Sequence, residues 1–368
     1  MYIHELQDWP EFHWDERKLA PLLGETRLLE GRLLGRMEGL GFSLRQEATL
    51  QTLTQDVVKT SAIEGETLDT AQVRSSLARR MGMDIGALPP TDRNVEGIVE
   101  VMLDATRNHE APLTEERLFG WHAALFPAGR SGMRRITTGG WRTAASGEMQ
   151  VVSGPIGSET VHYEAPGHER LPSEMARFME WCNGASVIDP VVKAAVAHFW
   201  FVSVHPFDDG NGRIARAIAD MLLARAERSP QRFYSMSSQI QRERESYYAV
   251  LERCQKGTLD ITTWVEWFLN CLARGLGSAR ETLHIVLVKA GFWRAHAGES
   301  FNERQRKVIN RLLDGFEGKL GSSKWASLAK CSQDTALRDI GELSERKILI
   351  KDPAGGRSTR YQLCLPSE

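Results

Sequence analysis

The chain has 368 residues, 42% of them hydrophobic and 26% charged, with a formal net charge of −2. That length suits two or three domains with sizeable cores, and the composition excludes disordered and fibrous classes. No apolar run approaches a membrane span, since the longest, near Ala194 to Val204, contains His198; the opening Met1-Tyr2-Ile3-His4-Glu5 is no signal peptide, and five scattered cysteines without zinc-ligand spacing read as reduced thiols, so the expectation is a cytoplasmic protein with no membrane partner.

The first region, residues 1–92, begins with an aromatic arm carrying Tyr2, Trp9, Phe12 and Trp14, then a helix near Asp15 to Leu40. The arm is expected to pack against the core and to offer a dimer contact. From Thr49 to Lys59 the apolar residues Leu50, Leu53, Val57 and Val58 recur at helical spacing. Thr60 and Glu64 fall at i, i+4 on one face, and Gly65 reads as a helix stop. A carboxylate at a helix C-terminus opposes the helix dipole. Read by itself, Glu64 is an ordinary solvated residue before a C-cap glycine. Leu88-Pro89-Pro90 marks a loop, and residues 93–274 carry the helical core.

Within that core, Gly147 to Pro166 contains short β-prone runs around Ser153-Gly154-Pro155 and Gly157-Ser158, which read as a small hairpin. Arg142 precedes it; a solvated arginine is the common case, a support for the hairpin the other. A helix from Pro172 to Trp181 follows. Asp189-Pro190 is a helix start with Asp as N-cap and Pro at the first position, and Val191 to Val204 is a buried apolar helix.

His205-Pro206-Phe207-Asp208-Asp209-Gly210-Asn211-Gly212-Arg213-Ile214-Ala215-Arg216 is the most informative stretch of the chain. His205 emerges at a helix end before a proline, and Phe207 is expected to tuck inward. Gly210 and Gly212 permit positive φ and close backbone approach to a ligand. A new helix starts from Arg213, and its N-terminus favours an anion such as phosphate. Asp209 suits Mg²⁺, Asn211 and nearby N–H groups suit charge on a phosphate, and Arg213 and Arg216 stand one turn apart. His205 can take a proton from a hydroxyl near neutral pH. Together these groups describe phosphoryl or nucleotidyl transfer. A plain glycine turn, or a calcium loop lacking the later bidentate Glu of an EF-hand, are the blander readings.

Tyr247-Tyr248 sits in an amphipathic helix, as core or as pocket lining. Residues 275–300 read as a linker helix. The tail, 301–368, reads as a helix from Glu303 to Leu313, a helix pair (Ser322 to Lys330 and Ser332 to Lys347), and β-prone runs flanking Pro353-Ala354-Gly355-Gly356. This order resembles a winged helix. The tail holds 13 Lys/Arg against 9 Asp/Glu, so it is basic while the rest of the chain is acidic. DNA binding through residues 301–368 is one expectation; Asp334, Asp339, Glu342 and Glu345 on the recognition-helix candidate favour a protein or dimer contact instead.

The stretch from His205 to Arg216 resembles the Fic-family signature His-x-Phe-x-Asp/Glu-Gly-Asn-Gly-Arg-x-x-Arg at every specified position. The resemblance implies a mainly α Fic core with a small β-hairpin flap, and transfer of AMP from ATP to a Ser, Thr or Tyr hydroxyl of a target protein or of the chain itself. It implies His205 as general base and Asp209 as the Mg²⁺ ligand. It makes Phe207, Asp208, Gly210, Asn211, Gly212, Arg213 and Arg216 the nucleotide cradle, with Tyr247 and Tyr248 beside it. Gly212 stands where kinase-type relatives carry lysine, which favours AMP transfer. Relatives with the tyrosine pair usually have an Asn shortly afterwards, where this chain has Arg253. Thr60-Ser61-Ala62-Ile63-Glu64-Gly65 resembles the family's inhibitory motif, which implies that Glu64 pairs with Arg216 at rest; in some relatives this Glu also positions water to remove AMP. By the same resemblance Val161, His162, Tyr163 and Glu164 form the edge of a flap that pins the target segment. Two other readings stand beside this one: a DNA-binding regulator whose core senses nucleotide, and a transferase using UTP or GTP.

Overall fold

The computed structural model describes residues 1–83, 91–154, 158–313, 320–352 and 360–365, with Glu281 and Thr282 described by backbone only. The expected loop at Leu88-Pro89-Pro90, Pro155 to Gly157 of the hairpin connection and Pro353 to Gly356 lie outside these residues. The architecture is mainly α, as expected, with three two-stranded antiparallel sheets among the described residues.

In chain order, α1 (Glu16–Glu38) and α2 (Phe42–Ile63) are followed by α3 (Thr70–Arg80), α4 (Arg93–Arg107) and α5 (Glu115–Leu125). A short hairpin, β1 (Arg130–Ser131) with β2 (Arg134–Arg135), precedes a longer one, β3 (Gln150–Ser153) with β4 (Thr160–Glu164). Then come α6 (Leu171–Asn183), α7 (Pro190–Val204), α8 (Asn211–Glu227), α9 (Met236–Arg242), α10 (Arg244–Gln255) and α11 (Thr262–Ala295). The remaining elements are α12 (Glu303–Leu313), α13 (Ser322–Ala329), α14 (Gln333–Glu345), β5 (Leu349–Lys351) and β6 (Tyr361–Leu363). The chain forms two compact units, one of residues 1–40 and 49–279, the other of residues 41–48 and 280–368.

The core of the first unit is built on α7. Asp189 caps it by accepting from Val191 N at 2.8 Å, Pro190 takes the first helical position, and nearly every following side chain is buried. A helix apolar on all faces must be surrounded. Here α6 covers one side, α8 another, and the N-terminal arm a third: Phe12 lies edge-on to Phe199 and Trp200, and Trp9 donates to Glu174 at 2.9 Å. The arm therefore packs on its own core. Each fully buried aromatic of this kind stabilises the fold by roughly 1.5–3 kcal/mol. α4 and α5 close the far side of α8. Among the described residues no helix is long and apolar enough to cross a membrane.

In the second unit, α12, α13, α14 and the β5–β6 hairpin enclose Val308, Ile309, Trp325, Ile340, Leu343 and Ile348. Tyr361 N also donates to Leu320 O at 2.9 Å, which ties the hairpin back to the start of α13. Asp339, one of the four acids that weighed against DNA binding, faces inward and accepts from Arg304 at 2.9 Å.

Candidate active site

The site forms where α7 ends and α8 begins. His205 closes α7 in the left-handed conformation (φ 50°), which stops the helix before Pro206 and turns the ring out of the core. Its Nδ1 lies 3.1 Å from Val202 O. The carbonyl can only accept, so Nδ1 carries the proton and Nε2 keeps its lone pair. Burial lowers the His205 pKa, against the backbone acceptor and the nearby carboxylates of Glu64 and Asp209, which raise it. The neutral ring is the resting form.

Phe207 tucks inward as expected and is fully buried. Asn211 holds it from both ends of its amide: Oδ1 accepts from Phe207 N at 2.9 Å and Nδ2 donates to Phe207 O at 2.8 Å. Asn211 therefore closes the loop and keeps one further Nδ2–H, beside the N–H groups of the first turn of α8, which have no intrahelical partner. Gly210 has φ 80°, and a Cβ there would stand 2.8 Å from the Phe126 ring, so glycine is required on both counts. The helix begins at Asn211 rather than Arg213, and Gly212 is helical. What Gly212 supplies is proximity: a Cβ on it would lie 2.2 Å from Glu64 Oε1.

Arg216 is buried, donating to Thr60 Oγ1 at 2.7 Å, to Thr60 O at 3.0 Å and to Glu64 Oε1 at 2.8 Å. Burial disfavours its charge, but the Glu64 carboxylate together with Tyr247 and Tyr248 outweighs that and the Arg216 pKa is raised. Gly65 (φ 84°) turns the chain just past α2, and Glu66 then reaches Arg213 Nη1 at 2.8 Å. Arg213 also stacks over Phe126 at 5.0 Å. Thr60, Glu64, Gly65, Gly212, Arg213 and Arg216 are thus brought together.

Asp209 accepts from Gly210 N through Oδ1 and from the Ser131 hydroxyl, through a short bond, at Oδ2. Asp208 accepts from Thr137 N at 2.7 Å and braces the segment after β2. Mg²⁺ takes only one or two carboxylates and completes its shell with phosphates and waters. Asp209 fits that requirement once Ser131 turns aside, and no cluster of three acidic or metal-ligating side chains occurs among the described residues.

The β3–β4 hairpin lies at the expected place. Val161 is exposed, Glu164 accepts from Gln150 Nε2 at 3.0 Å, and His162 joins Ser153 to Glu252. Tyr163 points the other way: it is buried and donates to Ser203 O at 2.8 Å, anchoring the strand to the end of α7. Of the tyrosine pair, Tyr247 is buried beside Trp264 with its hydroxyl 2.8 Å from His198 Nε2, while Tyr248 is partly exposed with Arg244 over its ring at 5.2 Å.

Two supports complete the site: His122, which the sequence does not single out, and Arg142, in the less common of its two expected roles. His122 lies flat on Phe207 with 4.2 Å between centroids; its Nδ1 accepts from Gly139 N at 3.2 Å, so Nε2 donates to Asp209 O at 3.2 Å. Burial lowers its pKa to about 4, fixing the neutral form. Arg142 is buried, donating to His205 O at 2.9 Å and to Pro166 O, while its own N–H donates to Pro206 O at 2.9 Å. It ties the root of the hairpin to the loop.

Residues 112–223 match the family model "Fic/DOC family", and residues 2–83 match "Domain of unknown function (DUF4172)". The chain is 28% identical over 266 residues, 71% of its own length and 47% of the relative's, to "Protein adenylyltransferase Fic" of Drosophila willistoni. It is 29% identical over 236 residues, 63% of its length and 42% of the relative's, to the protein of that name from Culex quinquefasciatus. It spans less than half the length of these curated relatives. Among solved structures, a Fic family protein from Desulfovibrio desulfuricans G20 aligns over 95% of this chain and 97% of its own with a TM-score of 0.51 at 22% identity. A Fic domain containing signaling protein from Bacteroides thetaiotaomicron VPI-5482 aligns over 71% and 97% with a TM-score of 0.53 at 20% identity; both likenesses are of fold. Residues 112–223 of the chain are a Fic/DOC-family domain.

Proposed function

We propose that the chain is a protein adenylyltransferase that moves AMP from ATP to a Ser, Thr or Tyr hydroxyl of a target protein and of itself, and that Glu64 holds it at rest. One observation carries this reading: a carboxylate, Glu64, sits on Arg216 at the N-terminal turn of α8. That position suits the terminal phosphate of a nucleotide, because the helix end and two arginines converge there. The carboxylate stands in for phosphate oxygens. The curated relatives' name supports AMP as the group moved.

In this reading His205 Nε2 takes the proton of the acceptor hydroxyl. The hydroxyl oxygen attacks the α-phosphorus, the bond to the bridging oxygen breaks, and pyrophosphate leaves. The first-turn N–H groups of α8 and Arg213 hold the phosphates, and Arg216 takes the terminal one when Glu64 withdraws. Asp209 would hold Mg²⁺, which neutralises phosphate charge. Glu64, partly exposed, is also the acid available to orient water for removal of AMP.

The test is intact-mass analysis of wild type, Glu64→Gly and Glu64→Gly/His205→Ala protein with Mg²⁺ and ATP, UTP or GTP. One AMP gained by Glu64→Gly and not by the double variant supports the reading. Equal gain by wild type and Glu64→Gly overturns the inhibitory role of Glu64. A gain with UTP or GTP alone replaces the donor, and no gain with any nucleotide overturns transfer.

A further inference from the structure

We propose that Ser153 is a primed acceptor hydroxyl, nucleotidylated by the site of a second copy of the chain; this rests on the AMP-transfer reading above. The hydroxyl lies outside the loop and has a base of its own. Ser153 Oγ stands 2.6 Å from His162 Nε2, and His162 Nδ1 stands 2.8 Å from Glu252 Oε2. Lys256 Nζ donates to the other Glu252 oxygen at 2.6 Å and helps hold that carboxyl below its ordinary range. A carboxylate only accepts, so Nδ1 carries the proton and Nε2 faces the serine hydroxyl as an acceptor. A nucleophile, a base and a group orienting the base are therefore aligned across three elements.

The backbone makes this alignment. In the β3–β4 ladder Val151 pairs with Tyr163 and Val152 with Val161, so His162 is the extra residue of a bulge. A bulge releases one side chain from strand alternation and re-aims it. Here the released ring reaches both Ser153 on β3 and Glu252 on α10.

The hairpin that carries Ser153 is anchored at its root. Its root is fixed by Tyr163 on Ser203 O, and by Arg142, which joins Pro166 O to His205 O. Ser153 pairs with Thr160, three residues beyond Tyr163, or roughly 10 Å further along the strand. With that root held in place, Ser153 is assigned to the donor site of another molecule. Val152 and Val161, opposed across the ladder and 47% and 37% exposed, give the tip an apolar pair for a second copy to cover.

In the transfer, the bond from Ser153 Oγ to the α-phosphorus forms and the bond to the bridging oxygen breaks. Pyrophosphate leaves with the electron pair, and the serine proton passes to His162 Nε2, which takes it here in place of His205 of the donor copy, and then to water.

The experiment mixes a donor chain, Glu64→Gly/Ser153→Ala, with an acceptor chain, Asp209→Asn, in Mg²⁺ and ATP, and maps AMP by peptide mass spectrometry. AMP is expected on Ser153 of the acceptor chain, at a rate that rises with donor concentration. His162→Gln in the acceptor is expected to slow it on the order of 100-fold, the span of general-base assistance. Ser153→Thr, which keeps a hydroxyl, is expected to retain labelling. Undiminished incorporation into an Asp209→Asn/Ser153→Ala acceptor, or AMP only on other residues, overturns this inference and leaves the transferase reading standing. No nucleotide on any chain, Glu64→Gly alone included, overturns both.

Discussion

The Arg216 guanidinium is almost wholly buried, yet its ion-pair partner Glu64 keeps about a third of its side chain in solvent (2% against 31% exposed). The cation is fixed by Thr60 as well, through Nε and Nη2, while the carboxylate is held chiefly by the cation. Exchange at this pair therefore moves Glu64, not Arg216. Glu64→Gly is expected to lower stability by roughly 1–2 kcal/mol, below the usual cost of breaking a fully buried pair because Glu64 is partly solvated. Mg²⁺ and ATP are expected to restore that loss, so the nucleotide-induced rise in Tm should be larger in the variant than in wild type. Equal shifts in the two proteins would show that Glu64 and the nucleotide do not compete for Arg216.

His205 gives a pH prediction with a definite sign. Burial lowers its pKa, so the neutral base persists below the ordinary histidine range near 6.5. Transfer by the Glu64→Gly protein should stay level through neutral pH and fall only as pH drops below about 6.5. The measurement is the rate of AMP incorporation between pH 5 and 8 with saturating Mg²⁺ and ATP. An acid limb centred above 6.5 would mean that another group limits the reaction.

The fold was legible wherever local chemistry agrees with tertiary packing. Asp189-Pro190 starts α7 where capping preferences place it, and the apolar run that follows is buried. The loop from His205 to Arg216 was legible because its glycines, acids and arginines are close in sequence. Glu64 was visible through its resemblance alone, since a carboxylate after a helix end has no local signature. His122 could not be recognised as a support, and Arg142 was visible only as the less common of two alternatives. A histidine in an amphipathic helix and an arginine before a hairpin acquire their tasks from segments far along the chain, Asp209 and His205 respectively. Asn211 reads as a phosphate ligand from its polar type and its place in the loop; the structure adds a second task, since both ends of its amide also close on Phe207. Spacing identifies which residues gather, not which atoms are already occupied.

His122 is a positioning residue for the loop and leaves a trace in stability against pH. Its folded pKa, lowered to about 4, lies below the ordinary 6.5, so between those values the unfolded chain binds the extra proton. The stability that the neutral ring contributes is complete above about pH 6.5 and is lost as pH falls toward 4, up to roughly 3 kcal/mol. His122→Phe keeps a flat ring against Phe207 but removes the donor to Asp209 O. Its unfolding free energy should vary less than wild type over this window. At neutral pH its transfer rate should fall about 10-fold or more through a looser Asp209. A variant with the wild-type pH slope would place the proton uptake elsewhere, on His198 or His4, which burial also holds neutral.

In the second unit the equivalent question is what holds α12 to α14. Asp339 is almost wholly buried and accepts from Asn302 Nδ2 at 3.0 Å and from Arg304 Nε and Nη2 at 2.9 and 3.0 Å. Its neighbours keep the carboxyl ionised: burial opposes the charge, but these donors outweigh it and lower the pKa. Gln305 adds a parallel link, donating to Glu342 at 2.9 Å. Asp339→Ala would leave Asn302 and part of the guanidinium without an acceptor, at a cost of roughly 2–3 kcal/mol to this unit, whereas Glu342→Ala, at a more exposed position, should cost under about 1 kcal/mol. Thermal unfolding of the full chain, followed by the near-ultraviolet signal of buried Trp325 beside that of the first unit, checks this. The Asp339 variant should lower the second unit's transition and leave the first in place. A shift of both transitions together would show that the two units unfold as one.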